Sequence, residues 1–178
     1  VIDPNILWDD FTFRSGQAKV IIDHLYDIAD RICKKFEIKK DSLVIDVGSN
    51  DGTLLQGYKN NDMQVLGIDP AKEIAKEANK SGINTIAEFL DEKLSDKILE
   101  KYREAKVVNC FNAYAHADDM ISLTKSIKKL MARDGIFIFE VSYIVDIIEN
   151  TLLGTIIHEH LCHHSLLSLE IFLKKFDL

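Results

Sequence analysis

The sequence VIDVGSNDG, residues 44–52, joins a short apolar run to a glycine-rich turn. The run begins at residue 42 (SLVIDV) and is followed by Gly48, which is typical of a strand buried in a parallel sheet. Residues 52–60, GTLLQGYKN, then have the pattern of a helix. This order of strand, turn and helix predicts the first half of a βαβ unit, with the turn at the carboxyl end of the strand.

Strands and helices alternate along most of the chain on either side of this unit. Further strands are predicted over residues 63–69, 83–87, 105–111 and 135–141, and helices over residues 17–37, 71–80, 90–102, 118–132, 144–150 and 165–176. The alternation predicts an α/β fold with a mainly parallel sheet of about five strands and helices on both faces. Right-handed crossovers restrict it to a doubly wound, Rossmann-like topology. We expect residues 1–41, an aromatic segment and a helix, to lead into a single core domain over residues 42–178.

The composition excludes several classes of protein. The chain has 178 residues, 47% of them hydrophobic, which suits one domain with a sizeable core. Its 22 Lys and Arg against 29 Asp and Glu give a net charge of −7, which argues against nucleic acid as a partner. No apolar run approaches the roughly 18 residues of a membrane span, so no membrane partner is expected. Three scattered cysteines without a CxxC pair suit reduced thiols in the cytosol and predict no structural zinc.

The glycine-rich turn is the first candidate ligand site, because parallel sheets bind ligands beyond the carboxyl ends of their strands. A dinucleotide site requires G-x-G-x-x-G, whereas Asn50 stands where the second glycine is expected. A P-loop requires a lysine, which this stretch lacks, and Asp46 and Asp51 would repel a pyrophosphate. The sulfonium and ammonium groups of S-adenosylmethionine are compatible with an acidic turn. The candidate cofactor-binding residues in the turn are Asp46, Gly48, Ser49, Asn50 and Gly52.

The end of the second predicted strand is the next candidate, with Asp69 and Pro70. A carboxylate at this position is able to accept hydrogen bonds from both ribose hydroxyls of a nucleoside. Alternatively, Asp69 caps the helix that begins at Pro70. The glycine turn and the acidic strand end together favour a nucleoside site.

Polar and aromatic residues also follow the third and fourth predicted strands. Glu88 and Phe89 are placed to meet the amino group and the ring of adenine, although Phe89 is equally well explained as a core residue. Asn112 and His116 come just after the fourth strand. Because parallel strands end at one edge of the sheet, we expect both to face the same cleft.

Five segments resemble the S-adenosylmethionine-dependent sugar C-methyltransferases, which act on nucleotide-linked 4-keto-deoxysugars. They are VIDVGSNDGTLL (44–55), GIDPAKEIAKEA (67–78), NAYAHADD (112–119), DGIFIFEVSY (134–143) and TIIHEHLCHHSLLSLEIF (155–172). The resemblance implies a class I methyltransferase core, S-adenosylmethionine as cofactor and a nucleotide-linked keto-sugar as small-molecule substrate. Family members also have a zinc-binding N-terminal region, a C-terminal domain and a final β-hairpin. We therefore expect this chain to be part of a longer protein, with an unfinished sheet edge.

The resemblance also implies the catalytic residues. The last histidine of the HEH segment is the base in that family and corresponds to His160, and the glutamate before it corresponds to Glu159. A histidine that lines the sugar site corresponds to His116. Ile157 stands where the family has tyrosine, and residues 163–164 are both histidine where it has an aromatic pair. These departures leave open methylation of oxygen or nitrogen in another small molecule, or a silent nucleoside-binding module.

Two further features have alternative interpretations. The HEHLCHH segment (158–164) has cysteine at 162, so it does not match the H-E-x-x-H zinc motif, and no metal is predicted. The aromatic residues Trp8, Phe11 and Phe13 either cover the cofactor or pack against the sheet, and packing is the favoured interpretation.

Overall fold

The computed structural model describes Asp3, Leu7, Trp8, residues 11–157 and residues 159–178. These residues form five strands: β1 Leu43–Val47, β2 Gln64–Ile68, β3 Thr85–Ile86, β4 Ala105–Phe111 and β5 Met131–Glu140. They also form seven α-helices: α1 Lys19–Lys35, α2 Thr53–Lys59, α3 Lys72–Lys80, α4 Glu92–Lys101, α5 Met120–Leu130, α6 Ile144–Glu149 and α7 Leu166–Leu173. The alternation of strands and helices agrees with the prediction.

All five strands run parallel in one sheet, in the order β3-β2-β1-β4-β5. The chain therefore runs from β1 through β2 to β3 at one edge of the sheet. The next strand, β4, then pairs with the other side of β1. This reversal is a topological switch point, where a crevice forms between the carboxyl ends of β1 and β4. The observed sheet confirms the predicted α/β, doubly wound fold.

Both faces of the sheet are covered by helices, and every residue of β1 is buried as a result. Val44 faces the layer that contains α1 and α2, and its neighbour Ile45 faces α4 and α5. Side chains alternate in this way along any strand. The buried face of α1 includes Ile28, Ala29 and Ile32. This helix is therefore packed into the same core as the sheet.

The last strand begins earlier than the sequence indicates. A helix was expected to continue to residue 132 and the strand to start at 135, because Arg-Asp-Gly is a turn signal. In the structure α5 ends at Leu130 and β5 starts at Met131. Ala105 of β4 pairs with Met131, and Val107 pairs with Ile136, so β5 bulges between these two pairs. The Arg-Asp-Gly sequence thus forms part of a bulge inside β5 instead of a turn before the strand.

Apolar side chains are exposed after β5. On α7 the exposed fractions are 71% for Leu166, 68% for Leu167 and 57% for Ile171. Among the described residues, β5 is paired only with β4, so it forms one edge of the sheet. None of the helices in the described part of the chain is long and apolar enough to cross a lipid bilayer.

Candidate active site

A cavity of about 500 Å³ lies at the carboxyl edge of the sheet. A cavity of this size accommodates a small organic ligand. Ten of the residues predicted from the sequence line it: Asp46, Gly48, Ser49, Asn50, Asp69, Pro70, Glu88, Phe89, Asn112 and His116. Three other predicted residues do not line the cavity, although the structure describes them: Gly52, Glu159 and His160. The structure therefore brings most of the predicted site together in one space.

The glycine turn is closely packed against its neighbours. Gly48 has φ of +75°, and a Cβ atom at this position would overlap the Cβ atom of Ala113, which follows β4. The backbone N–H of Gly48 donates to the carbonyl oxygen of Ile68, 2.8 Å away at the end of β2. Gly52 has φ of +82° and precedes the first residue of α2. Because Gly48 has no side chain, the ends of β1, β2 and β4 are able to approach one another closely. Gly52 allows the turn that leads into α2.

Asp69 fixes the turn and remains on the cavity wall. One carboxylate oxygen accepts from the backbone N–H of Asn50 at 2.8 Å, and the other accepts from the backbone N–H of Ala71 at 2.9 Å. Burial raises the pKa of Asp69, and the two N–H donors oppose that rise. The helix α3 begins at Lys72, and its N-cap is Ala71 with no side-chain cap, so the interpretation of Asp69 as a helix cap is wrong. The Asp69 carboxylate instead holds the turn between β2 and α3, and it still has lone pairs for hydroxyl groups in the cavity.

Asp46 differs from Asp69 because it lies deeper in the protein. Its side chain is 2% exposed, and its Oδ1 atom has no hydrogen-bond partner among the described residues. Burial, with a smaller contribution from the charge of Asp69, raises the pKa of Asp46 to about 8. The raised pKa therefore favours the protonated form of Asp46 near neutral pH. Of the two carboxyl groups, Asp69 has the backbone N–H donors that favour its charged form.

Residues 11–16, which we call the N-terminal strap, cross the cavity next to the glycine turn. The Asn50 side chain accepts from the backbone N–H of Ser15 at 2.9 Å and donates to the carbonyl oxygen of Phe13 at 3.0 Å. Asp51 accepts from the backbone N–H of Gly16 at 2.8 Å. The side chain of Asn50, the residue that departs from the dinucleotide motif, therefore anchors the strap.

The aromatic residues at the amino end belong to the cavity. Trp8, Phe11 and Phe13 all line it, so the favoured prediction that they pack against the sheet is wrong. Arg14 explains part of this placement, because its guanidinium binds both carboxylate oxygens of Glu77 on α3 at 3.0 and 2.8 Å. The same guanidinium donates to two strap carbonyl oxygens. The strap is thereby held over the cavity instead of over the sheet.

At the β3 side of the cavity, Glu88 and Phe89 are both on the wall. Phe89 is 43% exposed, so it is not a core residue. Glu88 lies 3.9 Å from the ammonium of Lys97, an exposed and weak ion pair. An apolar ring and a carboxyl group are therefore available to a planar base at this end.

Two imidazole rings lie beside the opposite part of the cavity. The Nδ1 atom of His116 is 2.7 Å from the carbonyl oxygen of Glu159, and the Nδ1 atom of His160 is 2.7 Å from that of Thr155. A carbonyl oxygen only accepts, so both Nδ1 atoms carry hydrogen, and in the neutral rings both Nε2 atoms have a free lone pair. The two ring centroids are 5.0 Å apart, with His116 on the cavity wall and His160 next to it. Glu159 contributes here through its backbone.

Among the residues on the cavity wall that sequence reasoning missed are His24 and Glu140. The Nε2 atom of His24 is 2.9 Å from one carboxylate oxygen of Glu140, and the other oxygen accepts from the side-chain amide of Asn112 at 2.7 Å. Glu140 ends β5, so the rule that located Asp69 could have found it. His24 is in the middle of α1 and 116 positions away from Glu140, so no local pattern indicates their contact.

The remaining histidines do not form a metal site in the part of the chain that is described. His158 of the HEHLCHH segment lies outside the described residues. His164 is buried and 3.3 Å from the Sγ atom of Cys162. Within the described ranges there is no group of three or more ligand side chains that could hold a metal ion.

Replacing Asn50 by glycine tests the anchoring of the strap. The variant keeps the positive φ of 51° accessible and removes both side-chain hydrogen bonds to residues 13 and 15. We expect the amide of Ser15 to exchange with solvent at least about tenfold faster, since each lost bond contributes about 1 kcal/mol. The amide of Gly48 should keep its protection, and so should both amides in the control variant Asn60→Gly. Unchanged exchange at Ser15 would show that Asn50 does not hold the strap.

The buried carboxyl of Asp46 predicts a dependence of stability on pH. The folded protein keeps this proton between the ordinary pKa of 3.8 and the raised value of about 8, whereas the unfolded chain has released it. The free energy of unfolding should therefore fall as pH rises through this range, by up to about 1.4 kcal/mol per pH unit from this group. In Asp46→Asn this component disappears. Urea unfolding at a series of pH values measures the difference, and identical pH slopes for the two proteins would contradict the assignment.

Comparisons with known proteins identify the family of this chain. Residues 19–178 match a family described as a methyltransferase domain. The chain is 31% identical over 169 residues to the C-methyltransferase NovU of Streptomyces niveus, covering 95% of this chain. It spans 40% of the length of that relative.

Solved structures share the fold. The YcgJ protein of Bacillus subtilis matches 86% of this chain and 67% of its own, with a TM-score of 0.64 and 16% identity. An S-adenosylmethionine-dependent methyltransferase of Clostridium acetobutylicum matches 72% of this chain and 54% of its own, with a TM-score of 0.58 and 14% identity. The match to a methyltransferase domain implies S-adenosylmethionine as the cofactor. Because the family match extends over most of its residues, the chain belongs to the methyltransferase domain family.

Proposed function

We propose that this chain carries the catalytic core of a C-methyltransferase that methylates a carbon next to a ketone in a nucleotide-linked deoxysugar. One observation carries the proposal. A single cavity has the carboxylate of Asp69 on one side of the glycine turn, and on the other side His116, with His160 packed against it. A nucleoside site and a basic site are thus adjacent.

The residues on the wall fit S-adenosylmethionine. Asp69 would accept from the ribose hydroxyls, Phe89 would pack on the adenine, and the turn at Gly48 would adjoin the amino-acid portion. The Oγ atom of Ser49 is buried and has no hydrogen-bond partner among the described residues, so it is a polar group that a ligand could satisfy. Bound there, the cofactor supplies a methyl group on a sulfonium, which is an electrophile.

The imidazole pair supplies the basic group that C-methylation needs. A sugar carbon becomes a nucleophile only after a proton next to the ketone is removed, and histidine is a base suited to neutral pH. In this proposal the Nε2 atom of His160 takes the proton, as the resemblance implies. His116 packs against His160 and is fixed by the carbonyl oxygen of Glu159, so it orients the base beside the cavity.

The similarity to NovU supports transfer to carbon, because that relative is a C-methyltransferase. The activity of the whole protein and its sugar substrate are part of the proposal, since this chain spans 40% of the relative's length. We also propose that the protein acts in the cytosol. All three cysteines are free thiols, and reduced thiols are typical of that compartment.

Deuterium exchange at the sugar carbon tests the proposal in the intact protein. Wild-type protein with a nucleotide-linked 4-keto-deoxysugar in D₂O should exchange the proton next to the ketone. His160→Asn should slow this exchange at least about 100-fold, because a positioned general base contributes about that much. Its affinity for S-adenosylhomocysteine, measured by calorimetry, should remain within about twofold of the wild type because the cofactor residues are intact.

Two outcomes would contradict the proposal. Full exchange in His160→Asn would show that His160 is not the base. A methyl group found on oxygen or nitrogen of the product by NMR would contradict transfer to carbon.

A further inference from the structure

The side chains of Glu140, His24 and Asn112 form a polar group on the cavity wall that the proposed reaction does not use. Both oxygens of Glu140 are held, one by the amide of Asn112 at 2.7 Å and one by His24 at 2.9 Å. The backbone N–H of Asn112 also donates to the carbonyl oxygen of Glu140 at 2.8 Å. The carboxylate is therefore fixed in position, and because a carboxylate has about four acceptor sites, it retains capacity for another donor.

The position of Glu140 at the end of β5 determines how far it lies from the proposed cofactor site. The carboxyl ends of β2 and β5 are three strand spacings apart, which is about 14 Å. In S-adenosylmethionine eight bonds separate a ribose hydroxyl oxygen from the amino nitrogen, an extended reach of roughly 9 Å at the length per bond of a polypeptide. Hydrogen bonds of about 2.8 Å at each end extend this reach to about 15 Å. A fully extended ligand held by Asp69 at one end is thus just long enough to contact Glu140 at the other.

The other carboxyl groups on the wall are less suited to bind a cation there. Asp46 is buried beneath the turn, Asp69 is assigned to the ribose in the proposed site, and Asp119 caps α5 by accepting from Ser122. Asp118 is also on the wall, but it is exposed and no side chain among the described residues holds its carboxylate in position. Glu88 follows β3, at the opposite edge of the sheet. Among the described residues that line the cavity, the only basic side chains are histidines. A carboxylate at Glu140 is thus not neutralised by lysine or arginine on this wall.

We infer that Glu140, positioned by His24 and Asn112, binds the ammonium group at the amino-acid end of the cofactor. This inference rests on the proposed cofactor site and adds a specific contact to it. Glu140 is the binding residue, and His24 and Asn112 are positioning residues that act through it. The Glu140 side chain is 37% exposed, so the contact should contribute as a charge-assisted hydrogen bond at a partly exposed site.

A cycle of two proteins and two ligands tests the inference by calorimetry. The ligands are S-adenosylhomocysteine and its analogue in which hydrogen replaces the amino group. The wild-type protein should bind the amine at least about tenfold more tightly, as expected for a hydrogen bond between charged groups. Glu140→Gln keeps the shape of the side chain and should bind the two ligands within about twofold of each other. The control Glu149→Gln, at an exposed position on α6, should discriminate like the wild type.

The outcomes separate this inference from the proposed function. It is overturned if Glu140→Gln still prefers the amine as the wild type does, if the wild type has no preference, or if the substitution weakens both ligands equally. If the wild-type protein binds neither ligand, the proposed cofactor site itself fails.

Discussion

The close approach of the glycine turn to its two neighbouring strand ends is the constraint on which the rest of the site depends. Gly48 binds the last carbonyl oxygen of β2 and leaves no space for a side chain next to Ala113. This contact brings the residues that follow β1, β2 and β4 to one edge of the sheet. Without it, Asp69 and His116 would not share a cavity.

The distribution of charge around that turn follows from burial. Asp46 lies on a central strand, where burial raises its pKa and favours the protonated form, whereas two backbone N–H donors favour the charged form of Asp69. The acidic character that distinguishes this turn from a phosphate site is therefore carried by strand ends at the cavity surface. In the proposed site, a cationic ligand would lie between the carboxylates at the ends of β2 and β5.

Much of the fold was predictable because its signals are local. Apolar runs, glycine turns and helical periodicity identify the elements, and the strand-end rule located Asp69, Asn112 and His116. Features that depend on distant contacts were not predictable. The side chain of Asn50 binds strap residues 35 and 37 positions away, and the pairing of His24 with Glu140 joins α1 to β5. Tertiary packing, which no local pattern encodes, decides these contacts.

A crystal structure of the protein with S-adenosylhomocysteine tests the central claim most directly. We expect the ribose hydroxyls within hydrogen-bond distance of the Asp69 carboxylate, about 2.5–3.0 Å, and the adenine ring against Phe89. A ligand bound outside this cavity, or with its ribose away from Asp69, would contradict the account.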